Sequence, residues 1–151
     1  MTCEQGVGTM ISALLLLSSS WFSLPFIGDA SSTDLLQLQG EWVLVRMEVG
    51  GKEVPADRLA SATVRVEGRH YRLTTRNMTF DVEIRLDAHK SPKEIDMTFL
   101  NGPNQDRTGK GIYKLERHRW TICRSVRPED DRPREFSSEE VNYFIMVWER
   151  K

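Results

Sequence analysis

Leu36-Gln37-Leu38-Gln39-Gly40-Glu41-Trp42 opens the folded part of this chain. A Gly two residues before a Trp, at the head of a first strand, suits the closed end of a small β-barrel. Gly lets the backbone enter where a side chain would clash. Trp brings a large apolar plug with one polar handle. Behind it, Trp42 to Val49 is nearly continuous in apolar character, broken only by Arg46 and Glu48. Such a strand is either covered on both faces or bends and changes face.

Further along, the alternation becomes regular. From Thr79 to Asp87, Phe80, Val82, Ile84 and Leu86 face one way and Asp81, Glu83, Arg85 and Asp87 the other. That period of two defines a half-buried strand and makes a poor helix. Val64 and Val66 alternate with Arg65 and Glu67, Tyr71 and Leu73 with Arg72 and Thr74, and Ile95, Met97 and Phe99 with Glu94, Asp96 and Thr98. Turn signals separate these runs: Gly50-Gly51, Gly68-Arg69, Ser91-Pro92 and Arg117-His118. Pro55 to Leu59 reads as one helical turn started by Pro. Asn101 to Lys110 reads as a loop, and Arg127 to Glu140, polar and carrying two prolines, as a long surface connection. Ile112 to Glu116, Trp120 to Cys123 and Tyr143 to Arg150 supply the remaining strands.

About eight short strands with short links predict an all-β fold, a small antiparallel eight-stranded up-and-down barrel. Its first and last strands are the most apolar, so pairing them closes the sheet and removes its edges. Leu35 to Gln39 is either a turn of helix or an extended lead-in.

Residues 1–30 are set apart. Ile11 to Ile27 is mostly apolar but diluted by serines, Pro25 interrupts it, and Gly28-Asp29-Ala30 provides small residues before a cut ahead of Ser31. This is the pattern of a signal peptide, although no Lys or Arg precedes the apolar run and Glu4 adds a negative charge, which a start at Met10 would remove. The run is short and Ser-rich for a spanning helix, which needs about 20 apolar residues. The expectation is an exported protein, periplasmic or secreted, with an uncleaved anchor as the alternative and the only membrane contact. Residues 31–35 then form a linker and 36–151 the barrel.

All 21 Lys and Arg, and all but two of the 22 Asp and Glu, lie after Ala30, leaving the remainder one unit positive. Such a balance gives no field to recruit nucleic acid. After Ala30 only one cysteine, Cys123, remains, so no disulfide framework holds the domain. Cys123 reads as a half-buried strand residue.

These residues resemble two families at different ranges. Gly40-Glu41-Trp42 on a first strand resembles the Gly-x-Trp signature of lipocalins, in which an Arg near the end of the last strand stacks on the Trp. Arg150 is the matching position, making Gly40, Trp42 and Arg150 the expected closure. More closely, the chain from Leu36 to Lys151 resembles an uncharacterised lipocalin-like domain family abundant in planctomycete bacteria. The pieces are Leu38 to Trp42, Gly50-Gly51-Lys52 with Val54-Pro55, Ser91 to Asp96, Gly109 to Tyr113, Trp120 to Cys123 and Arg132 to Phe136. His118-Arg119 and Trp120 depart from the usual Gly-Asp-like turn and Leu of that family. The resemblance implies the barrel and an exported or membrane-associated setting. It implies no activity.

No catalytic constellation stands out. His70, His89 and His118 are isolated, with no metal-ligand spacing. No phosphate loop, nucleophile elbow or Cys-x-x-Cys is present, and no cofactor is expected. Glu129-Asp130-Asp131 reads as a solvated loop. Asp96 points outward and reads as a tie from its strand to a loop, through Arg or backbone N–H groups. The inward residues Tyr71, Phe80, Val82, Met97, Phe99, Tyr113 and Trp120 are a core first. Whether they also line a ligand cavity depends on the volume left over. The leading expectation is non-catalytic binding of a small apolar or amphipathic molecule, which requires a pocket of about 300 Å³. The alternative is a solid barrel whose rim loops bind an unidentified protein or the cell envelope.

Overall fold

The computed structural model describes residues 28–140 and 142–151. The signal-like segment up to Ile27 lies outside them. Among the described residues no helix is long and apolar enough to cross a membrane. The elements run α1 (Ala30–Leu38), β1 (Gly40–Val49), β2 (Lys52–Glu53), α2 (Ala56–Leu59), β3 (Thr63–Glu67), β4 (His70–Thr74), β5 (Thr79–Asp87), β6 (Lys93–Phe99), β7 (Thr108–Leu115), β8 (Arg119–Ser125) and β9 (Tyr143–Arg150).

Eight of the strands form a closed antiparallel up-and-down barrel, in the order β1-β3-β4-β5-β6-β7-β8-β9, with β9 returning to β1. The two-residue β2 is only a flap on β1, across the Gly50-Gly51 turn, where both glycines have positive φ as a primed hairpin turn demands. Gly68, also at positive φ, makes the tight β3–β4 turn.

The ambiguity of β1 is resolved by a bulge. Leu44 pairs with Trp148, but Arg46 pairs with Val147, so Val45 is an extra residue. Trp42 and Leu44 face the interior before it and Met47 packs on the core after it, which reverses the alternation. Val45 itself is exposed. This explains why the sequence there looks apolar on both faces.

Two expectations change. The supposed linker, residues 31–35, belongs to α1, which starts at Ala30 with Asp29 as its N-cap accepting from the Ser32 N–H. Its sequence is polar, and its place is set by anchors outside the helix. The second change concerns residues 108–110, expected in a loop, which belong to β7. Thr108, Gly109 and Lys110 pair with Thr98, Met97 and Asp96 of β6. Gly109, read as part of the loop, and Gly111 beside it are there because the strand is crowded. A Cβ on Gly111 would sit 2.8 Å from the Cys123 carbonyl oxygen.

Register gives the barrel two distinct ends. Gly40, Glu67, His70, Asp87, Lys93, Leu115, Arg119 and Arg150 lie towards one; Val49, Thr63, Thr74, Thr79, Phe99, Thr108, Ser125 and Tyr143 lie towards the other. The core fills the first half most densely. Trp42, Trp120 and Trp148 are fully buried. Trp120 sits edge-on to Trp42 at 5.8 Å between centroids and to Tyr71 at 5.9 Å, and Tyr71 is edge-on to Trp148 at 6.4 Å. Such edge-to-face contacts each add about 0.5–1.5 kcal/mol beyond the area they bury.

Candidate functional site: the open end of the barrel

The closed end is sealed by α1. Arg150, reaching from β9, stacks its guanidinium 4.4 Å from the centre of the Trp42 ring. The same group donates to the Gln39 carbonyl at 2.8 Å and to the Gln37 carbonyl. The Trp42 indole N–H donates to the Leu38 carbonyl at 2.8 Å. A cation at the C-terminal end of α1 also meets the negative end of the helix dipole. Gly40 adopts φ +112°, and a Cβ there would lie 3.3 Å from Arg150 Nη1. Gly40, Trp42 and Arg150 therefore form one closure.

Deeper in α1, Asp34 is buried and accepts from Lys93 Nζ and from the Tyr113 hydroxyl, both at 2.7 Å. Burial, then the Asp34 hydrogen bond, push the Tyr113 hydroxyl far above its usual pKa. Tyr113 is thus an anchor for the helix and does not line the cavity of the open half. Trp120 belongs to the aromatic floor. Both were expected as cavity lining; the structure uses them to make the lower half solid.

The other five expected residues do come together. Tyr71, Phe80, Val82, Met97 and Phe99 line a single cavity in the open half, joined by Leu73, Met146, Asn104 and Arg124. Its volume is about 160 Å³. That is about half the ~300 Å³ required above for an ordinary ligand pocket. Of the two outcomes the sequence left open, a ligand cavity or a filled core, the lower half takes the second, because the three indoles and Tyr71 occupy that space.

Arg124 was not foreseen. It follows Trp120 and Ile122 on the inward face of β8, so the period of two points it inside. Its guanidinium lies 4.4 Å from the centre of the Phe144 ring and 5.4 Å from that of Phe99. Nη1 donates to the Ser125 carbonyl at 3.1 Å, while Nε is sealed from solvent with no partner. Among the described residues no carboxylate lies within ion-pairing distance of Arg124. Burial lowers its pKa to about 10. Gly109 makes the room: a Cβ there would lie 3.3 Å from Arg124 Nη1. Beside it, the Tyr71 hydroxyl is buried without a partner. Burial raises the Tyr71 pKa strongly, and the nearby Arg124 charge works against that rise. Each such buried unpaired donor costs roughly 1–3 kcal/mol.

Outside the barrel, the connection between β8 and β9 packs as a strap. Arg132 donates to Asp96 at 2.6 Å, to the Gly111 carbonyl at 2.6 Å and to the Ile95 carbonyl at 3.2 Å. Asp96 is the tie expected from the sequence. Ser138 is fully buried, donating to Glu48 and accepting from the Gly51 N–H. Cys123 is buried beneath the strap with its thiol directed at the Ser137 carbonyl; burial pushes its pKa up to about 11. A polar groove of about 860 Å³ runs along the strap past Lys110, Arg132, Arg134, Glu135 and Glu140. No three His, Cys, Asp or Glu side chains cluster to hold a metal among the described residues.

Comparison with protein-family models, with curated proteins and with solved structures finds no match to this chain.

Proposed function

We propose that this chain is an exported, lipocalin-like binding protein that holds one small amphipathic molecule in the open half of its barrel, without catalysis. The observation that carries the proposal is the cavity itself, which at about 160 Å³ falls short of the ~300 Å³ of an ordinary ligand pocket and so narrows the expected guest to a smaller molecule. The cavity has an apolar wall of Phe80, Val82, Met97 and Phe99 and a polar edge of Tyr71, Asn104 and Arg124. Convergent polar groups on an apolar concavity are the usual form of a small-molecule site. The guest is limited to about five waters' worth of space at ~30 Å³ each, which excludes sterol- or haem-sized molecules. Export rests on the apolar, Ser-rich segment before Ser31.

The groove along the strap is larger but weaker as a site. Its central cation, Arg132, is already committed to Asp96, Glu94 and two backbone carbonyls.

Native mass spectrometry of the purified chain tests the proposal. The parent is expected to carry a bound small molecule, and Val82→Phe, which fills the cavity, is expected to lose it while keeping its circular dichroism. The same bound mass in both proteins, or none in either, overturns the proposal.

A further inference from the structure

Among the described residues, Arg124 Nε and the Tyr71 hydroxyl at the open half are buried and unpartnered, as are the indole N–H groups of Trp120 and Trp148 in the floor beneath them. Arg124 and Tyr71 border the same cavity, and Trp148 packs edge-on to Tyr71. Among the described residues, the guanidinium is held between Phe99 and Phe144, with one hydrogen bond from it to protein and no carboxylate within ion-pairing distance. A planar cation held between rings, with most of its N–H groups not bonded to protein among the described residues, suits a planar anion. Apart from Asn104, the rest of the wall is apolar.

We infer that the ligand of this cavity is a small organic carboxylate, its head paired with Arg124 and Tyr71 and its tail lying among Phe80, Met97 and Phe99. The inference rests on the cavity-binding proposal above and gives it a chemical class. The size limit selects short-chain or single-ring acids over long-chain fatty acids. Arg124 supplies charge and a fork of N–H donors, the Tyr71 hydroxyl a further donor, and Gly109 keeps the space the guanidinium occupies.

Isothermal titration of the full chain with hexanoate and benzoate, against hexanol and benzyl alcohol, reads the charge preference directly. The carboxylates are expected to bind roughly tenfold or more tightly than the alcohols of the same size. In Arg124→Gln the preference for acid over alcohol should fall to about twofold. Tyr71→Phe, which keeps the ring in the core, should cost the carboxylates part of that preference. Alcohols binding as well as acids to the parent overturn the carboxylate assignment and leave the cavity reading standing. An acid preference that survives Arg124→Gln also overturns it. If none of the four probes binds, the cavity reading falls too.

Discussion

Replacing Arg150 by Met tests how the cylinder is closed. Met keeps much of the aliphatic volume and removes the cation. The guanidinium stacks 4.4 Å from the Trp42 ring centre, an interaction worth about 0.5–2 kcal/mol. It also donates to the carbonyls of Gln39 and Gln37 at the end of α1. Those carbonyls are half exposed and regain water when Arg150 goes, so each bond is closer to about 1 kcal/mol than to its buried value. The combined loss is about 3 kcal/mol, or roughly 10 °C in Tm for a domain of this size. Urea unfolding followed by tryptophan fluorescence measures it. Arg150→Lys keeps the charge but not the fork and should fall between parent and Met. A double-mutant cycle with Trp42→Phe should return a coupling of about 1 kcal/mol. If Arg150→Met unfolds within about 0.5 kcal/mol of the parent and the cycle shows no coupling, the closure is not held in this way.

Three other outcomes are expected. Gly111→Ala places a Cβ against the Cys123 backbone oxygen and Arg124 Cβ, at 2.8 and 2.9 Å. Because backbone must yield, it should destabilise by about 1–3 kcal/mol in urea unfolding; an unchanged midpoint would show that β7 and β8 have slack. His89 and Asp29 pair at 2.6 Å, the hydrogen bond raising the His89 pKa above 6.5 and lowering that of Asp29 below 3.8. The raised histidine stabilises fully below its unfolded pKa and loses its contribution as pH rises through the folded value. The depressed carboxylate stabilises above its unfolded pKa and loses its contribution as pH falls through its folded one. The pair therefore acts across the weakly acid range in the chain that keeps Asp29, which a cut ahead of Ser31 would remove, and an NMR titration of the full chain should show the His89 midpoint return towards 6.5 in Asp29→Asn; a midpoint that ignores the substitution refutes the pairing. Cys123, buried with a pKa near 11, should resist a thiol reagent at pH 8 in the native protein and react only as urea unfolds it; rapid native labelling would mean that the strap opens freely.

The barrel was legible in the sequence wherever one face of a strand meets solvent. Thr79–Asp87 is the clearest case, since four acid or basic residues mark its outer face. Legibility failed where long-range contacts decide. Nothing local in Ser31 to Asp34 announces a helix; Asp29 caps it, and Asp34 is drawn in by Lys93 and Tyr113 from strands far along the chain. Gly109 resembles a loop residue until Arg124 is seen occupying the space beside it. Five of the seven expected cavity residues were found by alternation alone, because inward position is local information. How much room they leave is a matter of summed volumes, and the indoles of Trp42, Trp120 and Trp148 consume most of it. Arg124 could have been found by carrying the alternation two residues beyond Ile122; its charge argued for the outside.

The seam between β1 and β9 joins residues about a hundred positions apart, Trp42 facing Arg150 and Val49 facing Phe144. No shorter piece of the chain contains both lips of that seam. A ribosome releasing this polypeptide therefore emits a curved but unsealed ribbon until residues 143–150 emerge. Until then the sheet keeps two unpaired edges, and the barrel cannot close on itself.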